Sequence, residues 1–385
     1  MTLHDDLGLR PIINAAAALT ALGGALMPPE VLAAMVEAAG APVDMLELHS
    51  AVGKRLATLT DNEAAYVTPG CAAAIVLAIL GIRTGGDPAR LTKLRGHSQA
   101  PDEVVMHLTH RIPYDAAVAL AGAKVRQFGN AQQSLAWQLE SVITERTAAV
   151  LYVAGDHLAS VALPLEQVVE IAHAHGVPVI VDAASQLPPV ENLWRFTRDQ
   201  GADLAMFSGG KALRGPQASG LMVGRAELID AARNSGAPHQ RWGRALKAGK
   251  EEIAGLLAAV TRYMSLDHAQ IGRDWLGIVE GWASTLSRQS GVVVWIDPRN
   301  EAGQPVPRLH VSIDEPRHAQ AVIDSLARGT PSVVVLPDVA GGRIRGFWMS
   351  PDVLQEGEER VVAEAVVDAL ASISRITHGS AENGS

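Results

Sequence analysis

A single cysteine, Cys71, stands in a chain of 385 residues. No intramolecular disulfide can form, and a reducing compartment, the cytoplasm, is the expectation. Positive charge is also scarce: 32 Lys and Arg face 41 Asp and Glu, a formal net charge of -9. A nucleic-acid partner, which shows as a basic face or stripe, is therefore not expected. No uninterrupted apolar run approaches the ~20 residues a bilayer span needs. The opening from Met1 to Asp6 lacks the basic start and apolar core of a signal peptide. Internal repeats, Cys/His metal spacings, a nucleophile elbow and a dinucleotide glycine fingerprint are missing too, so no metal site is expected. What remains is an ordinary globular composition, 48% hydrophobic and 19% charged, long enough for two domains.

The stretch from Gly201 to Gly224 is the most informative. Lys211 lies in a glycine-rich turn between two short apolar runs, Leu204 to Phe207 and Leu221 to Val223, which read as buried strands. Upstream, Pro178 to Ser185 reads as a third strand whose first polar residue is Asp182. In an open α/β sheet the ligand crevice lies outside the carboxyl ends of the strands. Both Asp182 and Lys211 would sit there. A lysine amine can form a Schiff base with an aldehyde cofactor, and a carboxylate can hold that cofactor's pyridine nitrogen protonated. The cofactor that uses both is pyridoxal 5'-phosphate (PLP). The bland alternative is a buried Asp-Lys ion pair, which is costly to bury and weak evidence of function.

The run Val181 to Trp194, followed by Phe207-Ser-Gly-Gly-Lys-Ala-Leu-Arg-Gly-Pro-Gln217, resembles the fold-type I PLP enzymes of the selenocysteine synthase-like branch. That branch holds seryl-tRNA selenium transferase and the D-glucosaminate-6-phosphate ammonia-lyases, and the resemblance runs from about Leu7 to Ile376. It implies an α/β architecture: a large domain with a mostly parallel sheet between helices, plus a smaller C-terminal α/β domain. The boundaries expected are 1–45 for an N-terminal segment packing with the small domain, 46–255 for the large domain, 256–377 for the small one and 378–385 for a disordered tail. A homo-oligomer, at least a dimer, is implied as well. Relatives usually carry Gly-Thr where this chain has Ala17-Ala18, in a segment that tends to border the substrate; Asn14 and Thr20 are the polar candidates there.

The regular alternation of strands and helices from Ala64 to Val223 supports the parallel sheet. Thr68-Pro-Gly70-Cys71 joins a strand to an apolar helix, and the free N–H groups of a helix start favour an anion. Thr68, Gly70 and Cys71 are therefore expected to cradle the cofactor phosphate, with Cys71 serving as a small packing residue. Ser208, three residues before Lys211, is a further phosphate contact by resemblance, and Ser185 joins the cofactor set. His110 ends a strand at Val104 to Leu108 and is expected to stack on the cofactor ring. Asp115 could cap the next helix, and Arg111 and Tyr114 are weaker contacts. Asp156 and His157 follow another strand end and are candidates for substrate specificity. Arg241, Arg244 and Lys250 lie in a basic segment that resembles the family's dimer-proximal stretch. Arg343 and Arg345 alternate on one strand and so share a face; one of them is expected to take a substrate carboxylate.

These residues predict an enzyme acting on an amino acid or amino-sugar acid. Lys211 would serve as acid-base at the carbon next to nitrogen, with Asp182 keeping the ring an electron sink. A β-eliminating ammonia-lyase is the first expectation by resemblance, a racemase, epimerase or aminotransferase the alternative, and a non-catalytic binding protein on the same fold the alternative of another class.

Overall fold

The computed structural model describes residues 3–94 and 100–382. Its strands are β1 (Ile12–Asn14), β2 (Ala64–Thr68), β3 (Glu103–His107), β4 (Lys124–Phe128), β5 (Thr147–Val153), β6 (Val179–Asp182), β7 (Leu204–Ser208), β8 (Gly220–Gly224), β9 (Val292–Asp297), β10 (Arg308–Ile313), β11 (Ser332–Val334), β12 (Leu336–Ala340) and β13 (Arg343–Met349). They are divided between two compact units. One holds residues 25–266 and 301–304, the other 1–24, 267–300 and 305–385.

In the larger unit seven strands form one sheet in the order β2-β8-β7-β6-β5-β3-β4. All pairs are parallel except those of β8, which runs against both β2 and β7. The near-continuous apolar runs arise because both sheet faces are covered. Along β6, Val179 and Val181 enter one core and Ile180 the other; along β7, Ala205 and Phe207 are opposed by Leu204 and Met206. The helix Cys71–Thr84 is buried at every position from Ala74 to Gly81, which accounts for its lack of a polar face. Gly81 lets the helix Ala226–Ser235 approach: a Cβ there would lie 2.6 Å from the Ala232 nitrogen.

The boundaries of the units differ from those expected. The helix Pro29–Ala39 lies in the larger unit, packed on Lys250–Ser265. Glu30 pairs with Arg262 at 2.8 Å, and a Cβ on Gly255 would lie 2.8 Å from Met35 Cγ. The division after Leu266 coincides with Asp267, whose carboxylate caps the helix His268–Leu286 by accepting from the Gln270 N–H at 2.9 Å. Residues 301–304 return to the larger unit, where Ala302 O accepts from Asp156 N and from Gln186 Nε2, each at 3.2 Å.

The smaller unit has a four-stranded antiparallel sheet, β12-β13-β10-β9, and a parallel pair, β1-β11. The opening segment contributes β1 through that pair. Leu309, Val311, Phe347 and Met349 build its core with Val279, Leu326 and Val362. The neighbouring positions on β9, β10 and β13 carry a stack that periodicity did not reveal. His310 lies on Trp295 with centroids 3.7 Å apart, and the Arg308 guanidinium is 3.9 Å from the Trp348 centroid. The last helix runs Glu358–Glu382, over most of the stretch expected to be a disordered tail; no proline breaks it, and Ala381 and Glu382 are good helix formers. Residues 383–385 lie outside the described residues. Among the described residues no helix is long and apolar enough to cross a membrane, and no cluster of metal-ligating side chains occurs.

Candidate active site

The reversed direction of β8 builds one end of the site. Gly220, at its start, pairs with Thr68 at the end of β2 on one side and with Ser208 at the end of β7 on the other. Three residues distant in sequence are thereby brought level at the carboxyl edge of the parallel strands. Gly70 follows with φ of 99°, a conformation that favours glycine. It opens the helix Cys71–Thr84 without a capping side chain, so the N–H groups of Cys71, Ala72 and Ala73 are left for an anion. A Cβ on Gly220 would lie 2.6 Å from the Gly70 carbonyl carbon and 2.8 Å from the Cys71 nitrogen. This glycine is what lets β8 approach the turn.

Asp182 ends β6, paired with Val153 of β5 and Met206 of β7. Its side chain is buried, and Oδ1 accepts from the Ala184 N–H at 3.1 Å and from the Cys71 thiol at 3.5 Å. Oδ2 has no protein partner among the described residues. Burial raises its carboxyl above the ordinary range, partly offset by the Ala184 and Cys71 hydrogen bonds and the charge of Lys211. Lys211 lies on the turn after β7, where its amine donates to the Ser185 hydroxyl. The turn is tightly built: Cβ atoms on Gly209 and Gly210 would lie 2.0 Å from Ser219 Oγ and 2.4 Å from Gln217 Oε1. Arg214, at φ of 53°, closes it by donating its N–H to Lys211 O at 2.8 Å.

These groups fit PLP. A buried carboxylate with one oxygen satisfied and the other open suits a pyridinium N–H. An amine lies nearby, and an uncapped helix start, with Ser208 brought level with it through Gly220, suits a phosphate.

Other expected residues take different places. Thr68 is fully buried, and its hydroxyl faces Gly70 O at 3.0 Å and Gly220 O at 3.2 Å. The Thr68 side chain therefore shapes the turn instead of presenting a phosphate ligand. Cys71 is more than a packing residue, because its thiol reaches Asp182. His110, expected to stack on the cofactor, has no exposed face. Its Nδ1 accepts from the Val153 N–H at 3.2 Å, beyond the point where β3 and β5 stop pairing, and its ring meets Tyr152 edge-on at 4.7 Å. The imidazole thus serves a strand end left open by the ladder. Asp115 does not cap its helix; its carboxylate takes the Arg111 guanidinium. Tyr114 is exposed.

Asp156 and His157 meet the 301–304 segment: His157 Nδ1 is 3.1 Å from Glu301 O, and a Cβ on Gly303 would lie 2.2 Å from Asp156 Cγ. Arg241 donates to the carbonyls of Gly86 and Asn234, and Lys250 to that of Ala38, so two of the three basic candidates are bound within the unit. Arg343 and Arg345 are both exposed on β13, and their side chains make no hydrogen bond or ion pair among the described residues.

The buried histidines carry a pH dependence. Desolvation lowers His49 from 6.5 to about 4, His107 to about 3 and His110 to about 4, with smaller contributions from Arg233, His110 and His157 respectively. Below pH 6.5 the unfolded chain takes up protons that the folded chain refuses. Their contribution to stability is complete above pH 6.5 and is lost as pH falls toward 4. Three such groups remove at most about 4 kcal/mol per pH unit, and less toward either end of that range. Denaturant midpoints are expected to hold near neutrality and drop steeply between about pH 6 and 4.5; a flat profile would refute this account of the histidines.

The fold and the Asp182–Lys211 arrangement together define a fold-type I PLP-dependent enzyme. Residues 12–280 match the family described as SelA: L-seryl-tRNA selenium transferase, and the chain belongs to that family. It is 33% identical to D-glucosaminate-6-phosphate ammonia lyase of Salmonella typhimurium over 317 residues, covering 81% of this chain and 82% of that protein. It is 32% identical to a Streptomyces 5'-C-glycyluridine monooxygenase-decarboxylase over 340 residues, covering 86% and 83%. The L-seryl-tRNA(Sec) selenium transferase of Edwardsiella ictaluri is 29% identical over 269 residues, 63% of this chain and 54% of that one. Among solved structures, a D-glucosaminate-6-phosphate ammonia-lyase superposes with a TM-score of 0.82 at 29% identity, covering 97% of this chain and 99% of that one.

Gly220→Ala tests the cradle. The added methyl has only backbone to displace, so the helix start must move. PLP binding is expected to weaken by about tenfold or more, in keeping with the ~1–3 kcal/mol of overpacking. Titration of the apoprotein with PLP checks this, and unchanged affinity would show that the Gly220 contact does not shape the phosphate site.

Proposed function

We propose that this enzyme is a lyase that eliminates a β-hydroxyl from an amino acid or amino-sugar acid, releasing ammonia and a keto acid. The Lys211 amine beside Ser185, at the strand edge that also holds Asp182, carries the PLP chemistry on which this reading depends. The similarity to D-glucosaminate-6-phosphate ammonia lyase along nearly the whole chain supports it. Bound at this edge, PLP supplies an electron sink for the negative charge that develops beside the amino carbon. Lys211 would take the proton from that carbon and pass it to the departing β-hydroxyl, which leaves as water. Asp182 would hold the ring nitrogen protonated, and the Ser185 hydroxyl orients the amine. The helix start at Cys71, with Ser208, holds the phosphate. Water leaves with the β-hydroxyl and re-enters when the nitrogen is hydrolysed off as ammonia.

Specificity is assigned to Asp156 and His157. The similar identity to the monooxygenase-decarboxylase favours one second reading, oxidative loss of a substrate carboxylate with O2 as oxidant. Incubation with phosphorylated amino-sugar acids and β-hydroxy amino acids separates the two. Equal yields of ammonia and keto acid without O2 uptake support the lyase; CO2 release with O2 consumption overturns it.

The reading includes a homo-oligomer, at least a dimer, in the cytoplasm, with a small-molecule substrate and no nucleic-acid partner. Leu32 and Val36, one turn apart on the helix Pro29–Ala39, are exposed together with Val43 and Leu46, and a partner subunit would cover them. Light scattering that returned a monomer with full activity would contradict the oligomer.

A further inference from the structure

The contact between the Cys71 sulfur and Asp182 is not required by the phosphate cradle, which uses the backbone of Cys71. Asp182 Oδ1 receives two donors, the Ala184 N–H at 3.1 Å and the thiol at 3.5 Å, and Oδ2 receives none among the described residues. Both side chains are buried, and Lys211 is close enough for its charge to bear on each of them.

We propose that the Cys71 thiol is a positioning donor for Asp182: it fixes Oδ1, turns Oδ2 toward the ring nitrogen of the cofactor, and favours the ionised carboxylate. The inference rests on the PLP reading of the site and deepens it. One residue thus serves both ends of the cofactor, its N–H toward the phosphate and its thiol toward the carboxylate that meets the ring. Burial, followed by the charge of Asp182 and the bond to it, pushes the thiol well above its ordinary value. Cys71 accordingly remains a protonated donor at neutral pH, with no nucleophilic part.

The test is a double-mutant cycle read by PLP titration of the purified apoprotein, with the visible absorbance of the lysine-bound cofactor as signal. Cys71→Ala removes the donor while leaving the backbone N–H, and is expected to weaken PLP binding about fivefold, the effect of one hydrogen bond of ~1 kcal/mol. Cys71→Ser restores a donor and is expected to return the affinity to within about twofold of the parent. In an Asp182→Asn background, Cys71→Ala is expected to change affinity by less than about twofold, because the thiol then meets a neutral amide oxygen and has no carboxylate charge to favour. A packing role for the sulfur would give the same loss in both backgrounds and no rescue by serine, and either result overturns the proposal. Equal affinity of Cys71→Ala and parent also overturns it while leaving the PLP assignment intact. Failure of the parent itself to bind PLP overturns both.

Discussion

In Lys211→Ala the visible absorbance of the PLP-loaded protein disappears and turnover falls by about 10³-fold or more, the loss expected when one residue serves as both covalent attachment and acid-base. The fold survives the change. Truncation removes a side chain whose hydrogen-bond partner is the Ser185 hydroxyl, while the turn is held by other groups. The backbone bonds from Arg214 N to Lys211 O and from Gly215 N to Gly209 O, both 2.8 Å, remain, as does the packing that Gly209 and Gly210 permit. Unfolding midpoints of the apoproteins should therefore agree while the spectra diverge. Lys211→Arg separates charge from chemistry: it keeps a cation near Ser185 but cannot form the imine, and it should be as inactive as the alanine variant. An unchanged visible spectrum in either variant would contradict the assignment.

Asp182→Asn is expected to lower turnover by about 10²–10³-fold, the range for loss of one preorganised electrostatic group. The substitution keeps the shape of the side chain. Its Oδ1 can still accept from Ala184 N and the Cys71 thiol, and its Nδ2 takes the place of Oδ2. An amide cannot hold the ring nitrogen protonated, so the electron sink is weakened while the cofactor remains attached through Lys211. Stability should move the other way. Burial raises the Asp182 carboxyl, so its ionised form costs stability in the apoprotein near neutral pH, and asparagine removes that cost. The apoprotein midpoint is expected to stay level or rise as activity falls, a trade between stability and function common at active sites. Loss of stability together with activity would mean that Asp182 is chiefly a structural residue.

The sheet was legible from the chain because its strands bury both faces and are bounded by glycine, as Leu204 to Phe207 and Leu221 to Val223 show. The placement of Asp182 and Lys211 followed from the same reading, since polar residues directly after buried parallel strands must lie at the carboxyl edge. Side-chain direction was not legible. Nothing local states that the Thr68 hydroxyl turns toward Gly70 O and Gly220 O, that His110 is fully enclosed, or that the Cys71 sulfur meets a carboxylate 111 positions away. Gly220 carries no local signal for a related reason. Its importance comes from β8 running against its neighbours, and that register exists only once Thr68 and Ser208 are paired on either side. The return of residues 301–304 to the larger unit likewise rests on backbone acceptors, chiefly Ala302 O, which carry no sequence signal.

Borohydride reduction of the PLP-loaded protein, followed by peptide mass mapping, identifies the lysine that carries the cofactor. One pyridoxyl group per chain, carried on Lys211 and absent from Lys211→Ala, is the predicted result. No adduct, or an adduct on another lysine with Lys211 unmodified, would contradict it.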